Sequence, residues 1–113
     1  MPTYQIIDLG FSTSDADNPD LRFTGGDFSF SFTDWREQPV RFIAAEVCTF
    51  SWVDEGAISD IRDDVTYEVF DSELMQKCYS SSIISPRDGY RHFKLCFNAI
   101  GVLDVVCKKI SLA

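Results

Sequence analysis

The sequence predicts a mainly β domain, an antiparallel meander that forms a strongly bent sheet or a small barrel and carries one short helix. Apolar residues alternate along the chain more often than they recur at helical spacing, which favours strands. Turn sequences containing glycine and proline separate the alternating segments. The 113 residues fit a single domain over residues 1–113, and 45% hydrophobic residues supply its core. The helix leaves an α+β arrangement open.

The first third of the chain predicts a strand, a loop and a hairpin. Residues 4–9 predict the first strand, and residues 12–20 are polar and contain a proline, as in a loop. Gly25-Gly26 predicts a two-residue hairpin turn because glycine readily adopts positive φ. The next strand alternates aromatic and hydroxyl side chains, at Phe28, Phe30 and Phe32 and at Ser29 and Ser31.

The middle of the chain predicts a long extended segment, a further strand and the helix. In residues 40–52 the alternation slips near Glu46, which is typical of a β-bulge. Residues 54–64 predict an acidic loop or one helical turn, and residues 65–70 predict a strand. Residues 71–78 predict a helix of about two turns, with the N-cap at one of its first two residues.

The C-terminal third predicts two hairpins. The first joins strands at residues 79–85 and 90–97 through a turn sequence with proline and Asp-Gly. The second is predicted to turn through three residues that end at Gly101 in the left-handed conformation, which pairs Phe97 with Leu103. Every pair on that face is then apolar, and this agreement favours the register.

The acidic charge is divided unevenly along the chain. Residues 1–76 hold sixteen of the eighteen Asp and Glu but four of the ten Lys and Arg, which gives a net charge of −12. The remaining residues have a net charge of +4, so the whole chain has a net charge of −8. Such asymmetry indicates that electrostatic attraction guides a partner. We expect the bases of the last third to neutralise part of the chain's own acidity.

The acidity argues against two classes of partner. Nucleic acids and anionic membranes attract basic surfaces, whereas this chain has a pI of about 4.4. The N-terminal residues lack the basic and apolar regions of a signal peptide, and no stretch approaches the ~18 consecutive apolar residues of a transmembrane helix. We therefore expect no nucleic-acid partner, no membrane contact and a cytoplasmic location with reduced cysteines.

Residue types that carry enzyme chemistry are few. The chain has one histidine, His92, and four cysteines at positions 48, 78, 96 and 107 without a C-x-x-C pair, so a zinc site is poorly supported. A catalytic cysteine–histidine pair also fails, since Cys96 lies about 13 Å along the strand from His92 and Cys107 points to the other face. No nucleophile elbow or phosphate-binding loop occurs. We expect no enzymatic activity, metal or cofactor, and we interpret the cysteines as small buried hydrophobic residues.

The strongest candidate for a binding surface is the acidic stretch from residue 54 to residue 73. It holds eight carboxylates against one base, Arg62, and large aromatic side chains lie in it and beside it. Charge speeds the encounter with a basic protein, and buried aromatic anchors supply much of the affinity. The predicted partner-binding residues are Trp52, Asp54, Glu55, Asp60, Asp63, Asp64, Tyr67, Glu68, Asp71 and Glu73. The alternative is an ordinary solvated surface around two core aromatics.

In its small size, acidity, β-rich pattern and lack of catalytic groups, the chain resembles bacterial immunity proteins, the cognate inhibitors of toxins delivered between competing cells. The resemblance implies a basic toxin as the partner, such as a nuclease. It further implies that carboxylates of the acidic stretch fill the substrate-binding cleft of that toxin and block it without turnover.

A second hypothesis is a small-molecule-binding domain, or an unassigned enzyme, with a pocket near the C-terminal hairpin. Its polar groups would come from one strand, at Tyr90, Arg91, His92 and Lys94, and would suit a carboxylate or phosphate ligand. A deep pocket lined by that strand favours this hypothesis, whereas a flat or convex acidic face with exposed aromatics favours protein binding. The charge division also allows a homo-oligomer, in which the basic third of one copy meets the acidic part of another.

Overall fold

The computed structural model describes residues 3–53, 64–97 and 100–113. Within them the chain forms nine β-strands and one α-helix. The strands are β1 (Thr3–Ile7), β2 (Asp17–Thr24), β3 (Asp27–Thr33), β4 (Pro39–Ala45), β5 (Thr49–Val53), β6 (Thr66–Phe70), β7 (Arg91–Phe97), β8 (Gly101–Cys107) and β9 (Lys109–Leu112). The helix, α1, spans Glu73–Ser80, and a short 3-10 turn spans Pro86–Asp88.

The strands belong to two antiparallel sheets. The five-stranded sheet has the order β1-β6-β7-β8-β5, and the four-stranded sheet has the order β2-β3-β4-β9. The chain changes sheet at the β1–β2, β4–β5 and β8–β9 connections. The prediction of a mainly β, antiparallel fold with one short helix is confirmed, and the described strands bend without closing into a barrel.

Aromatic side chains from both sheets fill the space between them. Strand β3 alternates buried Phe28, Phe30 and Phe32 with half-buried serines, as its sequence predicts. The ring centroid of Phe30 lies 5.4 Å from that of Phe42 on the same sheet and 5.1 Å from that of Phe97 on the other sheet. The two sheets therefore share one aromatic core. The outer face of the five-stranded sheet, which points away from this core, is available for other contacts.

Two predictions for the four-stranded sheet have different outcomes. The two-residue hairpin turn at Gly25-Gly26 is confirmed, with φ of +61° and +92°. The loop predicted over residues 12–20 is wrong in its last part, because β2 begins at Asp17 and includes Pro19. Proline is tolerated at this position because β2 is an edge strand.

The extended segment predicted over residues 40–52 forms two strands in different sheets. Glu46 has a φ of +53°, and this left-handed residue ends the run of β4. The Glu46 N–H donates to Asp27 Oδ1 at 2.8 Å. The next N–H, from Val47, donates to the Gly26 carbonyl at 2.7 Å, so the β2–β3 hairpin holds the crossing in place. The break in the alternation of apolar residues near Glu46 therefore marks the point where the chain passes from one sheet to the other, and not a β-bulge within one strand.

Helix α1 is present where the sequence predicts a helix, and its N-cap is Ser72. The Ser72 Oγ accepts a hydrogen bond from the Met75 N–H at 3.1 Å, and Met75 and Cys78 are buried. The strand predicted over residues 79–85 is wrong, because α1 continues through Ser80 and no strand follows before β7. Ile84 of this segment packs with Met75 and Cys78 of the helix, and Ile83 is exposed.

The hairpin of β7 and β8 is present, but its predicted register is wrong by two residues. Phe97 pairs with Gly101, and Leu95 pairs with Leu103. A shift of two residues leaves every side chain on the same face of the sheet, so an apolar face is consistent with either register and cannot distinguish them. Gly101 belongs to β8, with a φ of +141°, rather than to the turn.

Candidate functional site

A charged cluster lies on the outer face of the five-stranded sheet. The register of β7 and β8 places Lys94 opposite Asp104, with His92 two residues along the same face. His92 Nε2 lies 2.7 Å from Asp104 Oδ1, and Lys94 Nζ lies 2.9 Å from Asp104 Oδ2. One ionised carboxylate therefore accepts hydrogen bonds from both basic side chains.

The side chains of the charged cluster are largely buried, so they depend on one another for hydrogen bonds. The side chains of Asp104 and Lys94 are each 15% exposed, and that of His92 is 6% exposed. Burial by itself raises the pKa of Asp104, but the hydrogen bonds from His92 and Lys94 outweigh it and hold the pKa below its usual value. His92 Nδ1 is also buried and has no hydrogen-bond partner among the described residues. Such an unpaired buried atom is uncommon in folded proteins.

Helix α1 packs on this outer face, with an open cleft on either side. The first cleft has a volume of about 370 Å³ and is lined by the charged cluster together with Tyr4, Val69, Glu73 and Lys77. The second cleft has a volume of about 320 Å³ and is lined by Phe70, Asp71, Tyr79 and Tyr90. His92 lines both clefts, whereas Lys94 and Asp104 line the first.

Six of the ten predicted partner-binding residues lie in the described parts of the chain. The other four are Asp54, Glu55, Asp60 and Asp63. Among the six, the two aromatic side chains are largely enclosed by the protein. Trp52 is half-buried, with its ring centroid 5.6 Å from that of Phe30, and Tyr67 is 4% exposed. Neither ring presents a broad face to a partner in this conformation.

The carboxylates of the same set differ in their surroundings. Glu68 accepts hydrogen bonds from two guanidinium nitrogens of Arg91. Nη2 donates to Oε1, and Nε donates to Oε2 at 2.9 Å. Asp64 is half-buried just before β6. Asp71 and Glu73 are exposed at the N-terminal end of α1, Asp71 beside the second cleft and Glu73 beside the first. The structure therefore brings two of the predicted carboxylates together where α1 begins.

Aromatic side chains that the sequence does not single out lie at this surface. Tyr4 lines the first cleft and is 40% exposed, and Phe70 lines the second and is 42% exposed. Phe70 lies within the acidic stretch and directly precedes Asp71, and this position is the signal that could have identified it. Tyr4 reaches the first cleft through the pairing of β1 with β6, which no local pattern shows.

Bases of the last third neutralise carboxylates of the same chain, as expected from the charge division. Three of the six form ion pairs with carboxylates in the described residues, Arg91 with Glu68, Lys94 with Asp104 and Lys108 with Glu46. The net charge of the chain is nevertheless −8, so at least eight of its eighteen carboxylates have no base to balance them.

Comparisons with protein-family models, with curated proteins and with solved structures each found no match. The chemistry of the surface is therefore what indicates the function. Within residues 3–53, 64–97 and 100–113, no three His, Cys, Asp or Glu side chains are arranged so that they could hold a metal ion. The same residues contain no helix that combines the length and the apolar character needed to cross a membrane.

Proposed function

We propose that this protein binds a basic protein partner on the surface formed by α1 and the two clefts beside it. A contrast between two sets of carboxylates carries the proposal. Glu46, Glu68 and Asp104 are each paired with a base of the same chain. Asp71 and Glu73 are exposed and form no ion pair with any base in the described parts of the chain. In a chain of net charge −8, such carboxylates attract a basic surface.

The same surface offers apolar contact area. Tyr4 and Phe70 are 40% and 42% exposed, so a partner can bury much of each ring. Aromatic side chains often dominate the affinity of a protein interface, and charges mainly set the rate and orientation of encounter. Carboxylates and aromatic rings together support a protein, rather than a small cation, as the partner.

A toxin is the class of basic protein that this chemistry fits, in line with the resemblance to immunity proteins. A toxin that cleaves nucleic acid needs a basic cleft to bind phosphates. The carboxylates where α1 begins are complementary to such a cleft in charge. Inhibition would follow from occupation of the cleft, without a chemical step on either protein.

The proposal predicts that binding depends on Asp71 and Glu73. We expect the immobilised chain to recover a basic protein from a lysate of the organism that encodes it, with a recovery that falls as salt is added. The double variant Asp71→Asn, Glu73→Gln is expected to lower this recovery about tenfold, because both charges face the partner. Asparagine tolerates the φ of +54° at position 71, so the backbone there is preserved.

A double variant on the other sheet provides the matched control. Asp17→Asn and Glu37→Gln remove two exposed carboxylates from β2 and from the turn after β3, and they change the net charge by the same amount. This control is expected to recover the basic protein as the wild-type chain does. Equal losses in the two double variants, or recovery of the chain alone, would contradict the proposal.

A second candidate function is the binding of a small carboxylate or phosphate in the first cleft. The ammonium groups of Lys77 and Lys94, which line this cleft, favour it. The unpaired Nδ1 of His92 adds a donor for an anion in the imidazolium form, in which both ring nitrogens carry a proton. The volume of about 370 Å³ lies within the ~300–1,000 Å³ common for small-molecule sites. His92 is the one histidine of the chain, so its ring C–H signals in NMR report on this cleft directly. Inorganic phosphate is expected to shift these signals in a saturable way, and unchanged signals would exclude this function for phosphate.

A further inference from the structure

Two cysteine thiols lie close together between α1 and the five-stranded sheet. The Sγ atoms of Cys48 and Cys78 are 3.7 Å apart, although 30 positions separate the residues in the chain. Cys48 belongs to the β4–β5 connection and is half-buried, whereas Cys78 is buried on the inner side of α1. A contact between thiols from two separate elements gives these cysteines chemistry beyond that of small hydrophobic residues.

The backbone that carries each thiol is held in place. The Cys48 N–H donates to the Val106 carbonyl of β8 at 2.8 Å, and Cys78 lies within the hydrogen-bonded helix. Both side chains pack in an apolar cluster with Met75, Ile84 and Val106. A disulfide has an S–S length of about 2.05 Å, so the two sulfurs must approach by about 1.7 Å, which is within the reach of side-chain rotation.

We propose that Cys48 and Cys78 form a redox modification site, which a small-molecule disulfide of the glutathione type converts into an intramolecular disulfide. The Cys48 thiolate attacks one sulfur of the small disulfide, and a small thiolate leaves. The Cys78 thiolate then attacks the Cys48 sulfur of the mixed disulfide, and the second small thiolate leaves. The protein loses two electrons and two protons, and the small disulfide gains both to become two thiols.

Cys48 is the first thiol to react because it is the most accessible one. It is half-buried, whereas Cys78, Cys96 and Cys107 are buried. Cys96 and Cys107 belong to separate apolar clusters on opposite faces of the five-stranded sheet, so they do not offer a competing bridge. Burial and the hydrogen bond with Cys78 raise the pKa of Cys48 to about 11. Thiolate is therefore scarce near neutral pH, and the exchange is slow there.

The disulfide joins α1 covalently to the β4–β5 connection. It closes a loop over residues 48–78, which restricts the unfolded chain and stabilises the folded one. It also fixes α1, the helix between the two clefts, against the five-stranded sheet. The redox state of the pair thus controls the rigidity of this surface, and its formation does not depend on the proposed binding function.

Incubation of the full chain with oxidised glutathione at about pH 9, where the thiolate fraction is larger, tests this site. After unfolding and alkylation, we expect two free thiols of the original four and a mapped peptide that joins Cys48 to Cys78. The melting temperature is expected to rise by about 10 °C, because the closed loop restricts the unfolded chain. Reduction with a dithiol should return it to the starting value.

Cys48→Ser and Cys78→Ser serve as independent controls. Each variant is expected to form no intramolecular disulfide and to show no rise in melting temperature with oxidised glutathione. Peptide mapping of the wild-type chain decides the question even where a variant fails to fold. Four free thiols after incubation, a lasting mixed disulfide at Cys48, or a bridge between other cysteines would each overturn the proposal.

Discussion

Removal of the Asp104 carboxylate is expected to destabilise the fold by about 3–5 kcal/mol. In Asp104→Ala, Lys94 and His92 lose the group that accepts hydrogen bonds from both. The Lys94 side chain is 15% exposed, so its ammonium group becomes a largely buried charge without a counter-charge. Equilibrium unfolding in urea measures the loss as a lower transition midpoint at an unchanged slope.

Lys94→Met provides the matched background for this prediction. In this background the ammonium group is already absent, so removal of Asp104 breaks only its hydrogen bond with His92. Asp104→Ala is therefore expected to cost at least about 1 kcal/mol less in the Lys94→Met background than in the wild-type chain. An equal cost in the two backgrounds would contradict the coupling of Lys94 with Asp104.

Substitution of Gly101 by alanine is also expected to cost about 3–5 kcal/mol. A Cβ atom at this position would collide with the Val53 carbonyl oxygen and lie 2.8 Å from Trp52 Cζ2. The φ of +141° at Gly101 is in addition one that side-chain-bearing residues rarely adopt. Strand β5 would have to move away from β8, with which it pairs along its whole length. Thermal and urea unfolding both measure this effect.

Gly25→Ala serves as a control for a glycine with positive φ that has no close neighbour. Gly25 has a φ of +61°, but a Cβ atom built on it meets no atom within 4 Å. This substitution therefore has the backbone cost alone, which is about 1–2 kcal/mol. A larger loss in Gly101→Ala combines the collision with β5 and the higher backbone cost of a φ of +141°. Equal losses would show that the close approach at Gly101 is unimportant for stability.

Local patterns predict individual elements of this fold well. The strict alternation of phenylalanine and serine in β3 places three rings in the core, because successive strand residues point to opposite faces. The start of α1 is recognisable to within one residue, because Asp71 and Ser72 both have short side chains that can accept a hydrogen bond from the first helical turn, and Ser72 is the N-cap. Gly25-Gly26 is recognisable because its turn needs positive φ at both residues. Each of these signals needs only neighbours in the sequence.

Pairing between distant strands is where local patterns fail. Residues 40–52 look continuous because β4 and β5 both alternate, and only the contacts of Glu46 and Val47 with the β2–β3 hairpin divide them. The register of β7 and β8 could not be chosen from an apolar face, since a shift of two residues preserves that face. The need for glycine at position 101 comes instead from the Val53 carbonyl and the Trp52 ring, which a Cβ atom there would meet and which belong to a different part of the chain.

The candidate site shows the same division between local and distant information. Asp71 and Glu73 belong to an acidic stretch that the sequence displays directly, and both are exposed. Trp52 lies beside that stretch in sequence, but it pairs with Leu103 on the core face of its sheet. Tyr4 comes to the clefts from the other end of the chain through strand pairing. Charge could therefore be predicted, whereas the aromatic contacts needed the fold.

Amide hydrogen exchange, measured on the chain alone and with the basic protein recovered by capture, tests most directly whether α1 and its two clefts form the partner surface. We expect slower exchange in the complex for amides of α1 (Glu73–Ser80) and of strands β1 and β6, with the four-stranded sheet unchanged. Protection confined to the four-stranded sheet, with α1 exchanging as it does in the free chain, would contradict this assignment.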